Sequence, residues 1–227
     1  MNTSFIEFLA RHGAMRFGEF TLKSGRTSPY FIDLGVITGG AATAELGRYY
    51  ADTIRSNFNN DFDVVFGPAY KAIPLAISAT MALNSMGMEK KWLFDRKEMK
   101  MHGADASSVF VGSQTLDHGQ RVVLVDDVMT TGGTKVEAIK KLEDSLKAQV
   151  KGIVVAVDRM EMGRSDSALA EFTEDTGIPV HSIENIGNIF SYLRNKSIDG
   201  KVYVADKTFA KYEEYMHKYG VKKAPGA

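Results

Sequence analysis

One stretch constrains the fold more than any other: an apolar run, Val122–Val125, that ends in two adjacent carboxylates, Asp126 and Asp127. Uninterrupted β-branched and aliphatic residues are typical of a buried strand in a parallel sheet. Hydroxyl and glycine residues follow at 130–134, and a helix-forming run continues over 135–147. A strand that turns into a helix through small residues presents free backbone N–H groups at the positive end of the helix dipole. The sequence therefore predicts a phosphate-binding turn.

The acid pair indicates that phosphate is not the only ligand, because like charges repel. Carboxylates suit sugar hydroxyls, or a cation that travels with the phosphate. The turn is not a Walker loop, since it lacks Gly-x4-Gly-Lys and Lys135 follows the last threonine. It is not a dinucleotide fingerprint either, because no Gly-x-Gly-x-x-Gly follows the strand. A buried strand with a merely solvated turn is the structural alternative, and it leaves the two acids unexplained.

Composition narrows the function classes. The 227 residues fit a single domain, and 44% of them are apolar, enough for a large core. Lysine plus arginine and aspartate plus glutamate both number 28, which argues against a general nucleic-acid or membrane-surface binder. Cysteine is absent, so disulfides and thiolate metal sites are excluded. No apolar run approaches the ~20 residues of a membrane span, and the N-terminus lacks signal-peptide features, so we expect a cytoplasmic protein.

Strand and helix patterns alternate regularly from about residue 63. This alternation predicts an α/β fold: an open, mostly parallel twisted sheet flanked by helices, with right-handed crossovers. Ligands of such sheets bind at the carboxyl ends of the strands. Polar clusters are predicted there, at Tyr70-Lys71, Arg96–His102, Asp126–Thr134 and Asp158-Arg159. A helix and a β-hairpin within about residues 1–37 are expected to form a small α+β hood over a core of about residues 38–227.

The acid pair with its Thr-Thr-Gly-Gly-Thr loop resembles the 5-phosphoribosyl-1-diphosphate (PRPP) motif of the type I phosphoribosyltransferases. Four more blocks resemble the orotate phosphoribosyltransferase family, in the same order and at similar spacing. They are residues 20–31, 67–74, 96–103 and Asp158-Arg159. The resemblance extends from about Phe5 to Tyr192, and it implies the type I fold.

The resemblance implies transfer of the phosphoribosyl group from PRPP to orotate, giving orotidine 5′-monophosphate and diphosphate in UMP biosynthesis. It assigns Mg²⁺ mainly to oxygens of PRPP, so no firm protein ligand to the metal is expected. Roles in catalysis are implied for Lys100, His102, Asp126 and Asp127. Contacts to PRPP are implied for these four and for Tyr70, Lys71, Arg96, Lys97, Val128, Met129, Thr130, Thr131, Gly132, Gly133 and Thr134.

Orotate is a planar, anionic pyrimidine, and the resemblance places five residues around it. Arg159 can bind its carboxylate in a bidentate manner. Phe31 and Tyr30 are candidates to stack on the ring, Lys23 to reach the orotate or diphosphate side, and Thr131 to contact the carboxylate. Two of these residues have a plain alternative: ordinary hairpin packing for Phe31, and a salt bridge with Asp158 or Glu161 for Arg159.

The loop of residues 96–108 carries Arg96, Lys97, Lys100 and His102, without a hydrophobic period. Such a loop can close over bound substrate and exclude water. In the resembling family it reaches the neighbouring subunit, which implies a homodimer. The segment 104–110 is less glycine-rich than the family pattern, which bears on how the loop closes.

Two other functions stay open. A purine-base phosphoribosyltransferase would keep the central motif but would not need Arg159 for a carboxylate. A non-catalytic regulator of the same fold would bind nucleotide or RNA, although the zero net charge and the set of basic residues argue against it.

Overall fold

A computed structural model describes residues 1–22, 25–97, 109–113, 116–129 and 132–221. The helices are α1 (Thr3–Arg11), α2 (Gly40–Phe58), α3 (Ile73–Ser85), α4 (Gly133–Leu146), α5 (Ala168–Thr176), α6 (Ile186–Leu193) and α7 (Asp206–Tyr219). The strands are β1 (Met15–Thr21), β2 (Thr27–Ile32), β3 (Val64–Phe66), β4 (Lys91–Asp95), β5 (Phe110–Val111), β6 (Arg121–Val128), β7 (Gln149–Asp158), β8 (Val180–Asn185), β9 (Ser197–Ile198) and β10 (Lys201–Val202).

The central sheet has the order β5-β4-β3-β6-β7-β8. Its strand pairs are parallel except for β4 with β5, which is antiparallel. The predicted open, mostly parallel sheet is therefore confirmed. The acidic strand β6 lies inside the sheet, between β3 and β7.

Residues of β6 alternate between the two faces of the sheet, as the period of a strand requires. Val123 and Val125 contribute to one hydrophobic core, together with residues of α1, α2, α3 and α6. Val122 and Leu124 contribute to the second core, with residues of α4 and α5. Helices thus cover both faces, which explains why the strand is apolar throughout its buried part.

The N-terminal hairpin pairs β1 with β2 and is irregular between Phe17 and Phe20. Phe5 and Leu9 of α1 and Tyr30 of β2 are fully buried in the same core as Val123. The N-terminal unit therefore shares a core with the sheet, and the expected boundary near residue 37 stays a prediction. A short 3-10 turn, Leu34–Val36, connects β2 towards α2.

In the part of the chain that the structure describes, no helix combines the length and the apolar character needed to cross a membrane.

Candidate active site

Strands β3, β4, β6 and β7 are mutually parallel, so their carboxyl ends meet at one edge of the sheet. The described segments that leave this edge are 67–72, 96–97, Met129 with Gly132, and 159–162. They carry, or lie directly beside, the polar clusters predicted from the sequence. The site is therefore assembled by the topology of the sheet, as expected for an α/β fold.

The two carboxylates at the end of β6 have different surroundings. The Oδ2 atom of Asp126 accepts a hydrogen bond from Lys135 Nζ at 2.5 Å, and the same ammonium donates to the carbonyl oxygen of Val128 at 3.0 Å. The Oδ1 atom of Asp127 accepts from the N–H of Val128 at 2.7 Å. Burial, followed by the charge of Asp126, raises the pKa of Asp127. One acid is thus neutralised by a lysine, and the other is held in a partly buried, less compensated position.

Lys135 is a residue that the sequence interpretation missed. Its side chain is only 5% exposed, although it stands in the first turn of α4. A cation near a helix N-terminus opposes the helix dipole, which was the available signal that this lysine has a buried partner.

The turn from β6 to α4 depends on Gly132. This residue has φ +74°, in the left-handed region, and a Cβ atom there would lie 2.6 Å from the ring of Phe172. Gly133 and Thr134 follow in the exposed first turn of α4, whose leading N–H groups have no acceptor within a helix. Met129 is buried and Val128 half-buried below them. The described part of the turn therefore leaves backbone N–H groups available at the start of α4, and binding of a phosphate there stays a prediction.

Lys71 contacts the N-terminal unit. Its Nζ lies 2.9 Å from Asp33 Oδ1, and this bond is the largest cause of the raised pKa of Lys71. The charges of Asp127 and Asp126 add to the same effect at longer range. Lys71 is thus near the acid pair, but its direct partner is a carboxylate at the end of β2.

The loop that carries Lys71 is tied to β4. Asp95, which is buried, accepts from the N–H of Ala69 at 2.7 Å and from Lys141 Nζ at 3.1 Å. The peptide bond between Ala69 and Tyr70 is cis. The ring of exposed Tyr70 lies 5.7 Å from Lys97 Nζ, so two predicted PRPP contacts from different loops lie together. Asp95 was missed because its role depends on a loop 26 residues earlier in the chain.

Arg96 is half-buried, and its Nε has no hydrogen-bond partner within the described residues. Its backbone N–H donates to the carbonyl oxygen of Val109 at 2.8 Å. An unsatisfied buried donor at the edge of the site is what a residue awaiting an anionic partner presents.

Arg159 is buried at the end of β7, with 6% of its surface exposed. Its Nε and Nη2 donate to Glu161 Oε1 at 2.9 and 2.6 Å, and its guanidinium lies 5.0 Å from the ring centroid of Tyr30. The salt bridge considered as an alternative is therefore present, with Glu161 rather than Asp158 as the partner. It involves one side of the guanidinium group.

The two aromatic candidates lie on opposite faces of β2, because neighbouring strand residues alternate. Tyr30 is fully buried against Arg159, Phe190 and Tyr215, so it has no exposed ring face in this structure. Phe31 instead lies under Arg16, at 5.1 Å, and beside Phe20. The structure does not bring Phe31 and Arg159 to the same face of the hairpin, and stacking of either ring on a base stays a prediction.

Comparison with known proteins identifies the family. The model of the phosphoribosyl transferase domain matches residues 37–181. The orotate phosphoribosyltransferase of Clostridium acetobutylicum is 41% identical over 220 residues, covering 96% of this chain and 97% of that protein. A crystal structure of the Francisella tularensis orotate phosphoribosyltransferase matches with a TM-score of 0.77 and 36% identity, covering 96% of this chain and 99% of that one.

The chain belongs to the orotate phosphoribosyltransferase family. A Mycobacterium tuberculosis orotate phosphoribosyltransferase, solved in complex with PRPP, also matches, with a TM-score of 0.60 and 26% identity over 82% of this chain and 96% of that one. The family resemblance, the type I fold and the enzyme class predicted from the sequence are confirmed.

Several residues that the family resemblance singles out lie outside the described residues. They are Lys23, Lys100, His102, Thr130 and Thr131, together with positions 98–108 of the basic loop. Their roles stay predictions.

The surroundings of the two carboxylates bear on how they could meet a metal ion. Among the described residues, no group of three or more histidine, aspartate or glutamate side chains is arranged to hold a metal. Asp126 already has Lys135 as a partner, which leaves Asp127 as the less compensated acid of this pair. A single carboxylate without a cationic partner could supply at most part of the oxygen shell of a Mg²⁺ ion, and an ion held mainly by PRPP oxygens stays a prediction.

Proposed function

We propose that this enzyme transfers the 5-phosphoribosyl group of PRPP to N1 of orotate, producing orotidine 5′-monophosphate and diphosphate for UMP biosynthesis. The observation that carries the proposal is the meeting, at one sheet edge, of an acid pair beside an anion turn and a buried arginine from the next strand. The acid pair and the anion turn together suit a ribose phosphate, and the arginine suits an anionic base.

The ribose 5-phosphate end of PRPP binds at the start of α4. The N–H groups of Gly133 and Thr134 and the dipole of α4 face the phosphate, with Thr130 and Thr131 supplying hydroxyl groups. Asp126 and Asp127 accept hydrogen bonds from the 2′- and 3′-hydroxyls and so fix the ribose ring. Because Asp126 is already paired with Lys135, the pair carries less net repulsion towards the substrate phosphates.

In the chemical step, the site compensates the charges that develop on C1′ and on the diphosphate. As the bond from C1′ to diphosphate breaks, C1′ becomes oxocarbenium-like, and the carboxylate of Asp127 stabilises the positive charge. Mg²⁺, when bound, neutralises charge on the diphosphate oxygens. Orotate that is already deprotonated at N1 attacks C1′, so no general base is required.

The diphosphate is held by cations from two loops. Lys71 exchanges Asp33 for the diphosphate, and Arg96 supplies the unsatisfied Nε. Lys97 stands beside Tyr70, and Lys100 and His102 complete the set when the basic loop closes. We further propose a cytoplasmic homodimer, in which this loop serves the neighbouring subunit.

The proposal is tested by the PRPP-dependent loss of orotate absorbance, with Mg²⁺ present. The purified chain is expected to consume orotate only when both PRPP and Mg²⁺ are added, and to leave adenine, guanine and hypoxanthine unchanged. Turnover of a purine base, with none of orotate, would assign the site to purines. No turnover of any base would favour a non-catalytic regulator.

A further inference from the structure

Glu161 is the centre of a hydrogen-bond cluster that the proposed chemistry does not use. Its Oε1 atom accepts from Arg159 Nε at 2.9 Å, from Arg159 Nη2 at 2.6 Å and from the hydroxyl of Tyr215 at 2.7 Å. Its Oε2 atom lies 3.9 Å from Nη1 of Arg26, at the base of the hairpin turn. The side chain of Glu161 is only 14% exposed.

Glu161 occupies one hydrogen-bonding side of the Arg159 guanidinium group, and this determines which side can bind a ligand. A guanidinium group has a lateral fork, formed by Nε and one terminal nitrogen, and an end-on fork, formed by the two terminal nitrogens. Glu161 takes the lateral fork. The ring of Tyr30 lies 5.0 Å away from the guanidinium carbon. The end-on fork is the one that remains for a bidentate carboxylate.

The end of α7 fixes Glu161 and its neighbours through the backbone. The N–H of Met162 donates to the carbonyl oxygen of Tyr219 at 2.8 Å, and the N–H of Val221 to that of Met160 at 2.9 Å. These bonds enclose the antiparallel bridge between Glu161 and Gly220. Tyr219 also lies under the guanidinium of Arg26, at 4.9 Å. A helix far along the chain thus holds both the loop after β7 and the hairpin.

We propose that Glu161 is a positioning residue for the base site: it fixes Arg159 so that the end-on fork faces the carboxylate of orotate, and Tyr215 of α7 fixes Glu161 in turn. The inference rests on the proposed function, because it specifies how that site recognises its base. The effect is geometric. On charge alone Glu161 repels an anionic base, so a site selected only for electrostatic attraction would omit it.

The test measures KM for orotate and KM for PRPP separately, in the full-length enzyme, for four variants. Glu161→Ala removes the acceptor and is expected to raise KM for orotate about tenfold or more, with KM for PRPP within about twofold of wild type. Glu161→Gln keeps an acceptor oxygen of the same length and is expected to restore KM for orotate to within about threefold of wild type. Tyr215→Phe removes one hydroxyl and is expected to raise KM for orotate about threefold. Glu214→Gln, at an exposed position on the same helix, is the control and changes neither constant.

Three results would overturn the proposal. The first result is a KM for orotate that falls in both Glu161 variants, which would mean that the charge of Glu161 weakens orotate binding. The two KM values rise together in Glu161→Ala and Tyr215→Phe, which would indicate general damage. The third result is a KM for orotate that stays unchanged in both Glu161→Ala and Tyr215→Phe. If Glu161→Ala does not fold, Tyr215→Phe and Glu161→Gln still separate these outcomes. Failure of the proposed function is distinct, because the wild-type enzyme would then consume no orotate at all.

Discussion

Lys135 Nζ lies 2.5 Å from Asp126 Oδ2, and both side chains are largely removed from solvent, with exposed fractions of 5% and 19%. The acid pair at the end of β6 therefore does not carry two uncompensated negative charges. A lysine from the next helix neutralises one member and reaches the carbonyl oxygen of Val128 as well, which closes the turn between strand and helix.

Replacing Lys135 tests how much this side chain contributes to the stability of the fold. Lys135→Met is expected to lower the free energy of unfolding by about 1–3 kcal/mol, because it leaves the half-buried carboxylate of Asp126 without its partner. The same change raises KM for PRPP, since the acid pair then repels the phosphates. Urea denaturation and steady-state kinetics measure the two effects. Lys140→Met, at an exposed position of α4, is the control, and an equal loss of stability in both variants would contradict the account.

The carboxylate of Asp127 is expected to lower the stability of the free enzyme and to be required for turnover. Burial and the charge of Asp126 raise its pKa, so the protonated form is favoured more in the folded chain than in the unfolded chain. The contribution of this group to stability is present below the unfolded pKa of about 3.9 and is lost as the pH rises through the folded pKa. Asp127→Asn should therefore raise the thermal midpoint of the free enzyme at pH 7, with a gain that disappears near pH 4. Turnover should fall about 100-fold or more. A lower thermal midpoint at pH 7 would be the contrary result.

Asp33 is expected to compete with diphosphate for Lys71, which it contacts at 2.9 Å. Asp33→Asn should lower KM for PRPP, while stability changes by at most about 1 kcal/mol, because Lys71 is well exposed. The pKa of Asp33 is lowered by Lys71, so the stabilising contribution is present above the unfolded pKa of about 3.9 and is lost as the pH falls through the folded pKa. Asp52→Asn, which breaks an exposed pair with Arg55, is the control. A higher KM for PRPP would mean that Asp33 orients Lys71 instead.

The glycine pair at the start of α4 offers a matched comparison. Gly132→Ala places a Cβ atom 2.6 Å from the ring of Phe172 at φ +74°, so it should cost at least about 1–2 kcal/mol and weaken PRPP binding. Gly133→Ala meets no atom within 4 Å and should leave stability nearly unchanged. Chemical denaturation of both variants measures the difference, and equal stabilities would contradict the role of Gly132.

Sequence reasoning predicted what depends on local pattern. The strand from Val122, the acid pair and the glycine turn lie within 13 consecutive residues, so periodicity and turn chemistry were sufficient to place them. The open, mostly parallel sheet followed from strand–helix alternation, but the order of its strands did not.

Residues whose roles depend on distant partners could not be placed in this way. The hydroxyl of Tyr215 reaches Glu161 across 54 positions, and Lys71 reaches Asp33 across 38. Tyr30 and Phe31 are adjacent aromatic residues, and only the register of the hairpin against the core shows that Tyr30 is fully buried. Such contacts are set by tertiary packing, for which a single sequence holds no periodic signal.

Recognition of the orotate carboxylate by Arg159 can be measured as the ratio of kcat/KM for orotate to kcat/KM for uracil, which lacks this carboxylate. We expect the wild-type enzyme to favour orotate by about 10⁴ or more, because uracil leaves the remaining donors of buried Arg159 without an acceptor. Arg159→Ala should reduce the ratio by at least about 100-fold, mainly through loss of orotate turnover. A ratio that Arg159→Ala leaves unchanged would contradict the account.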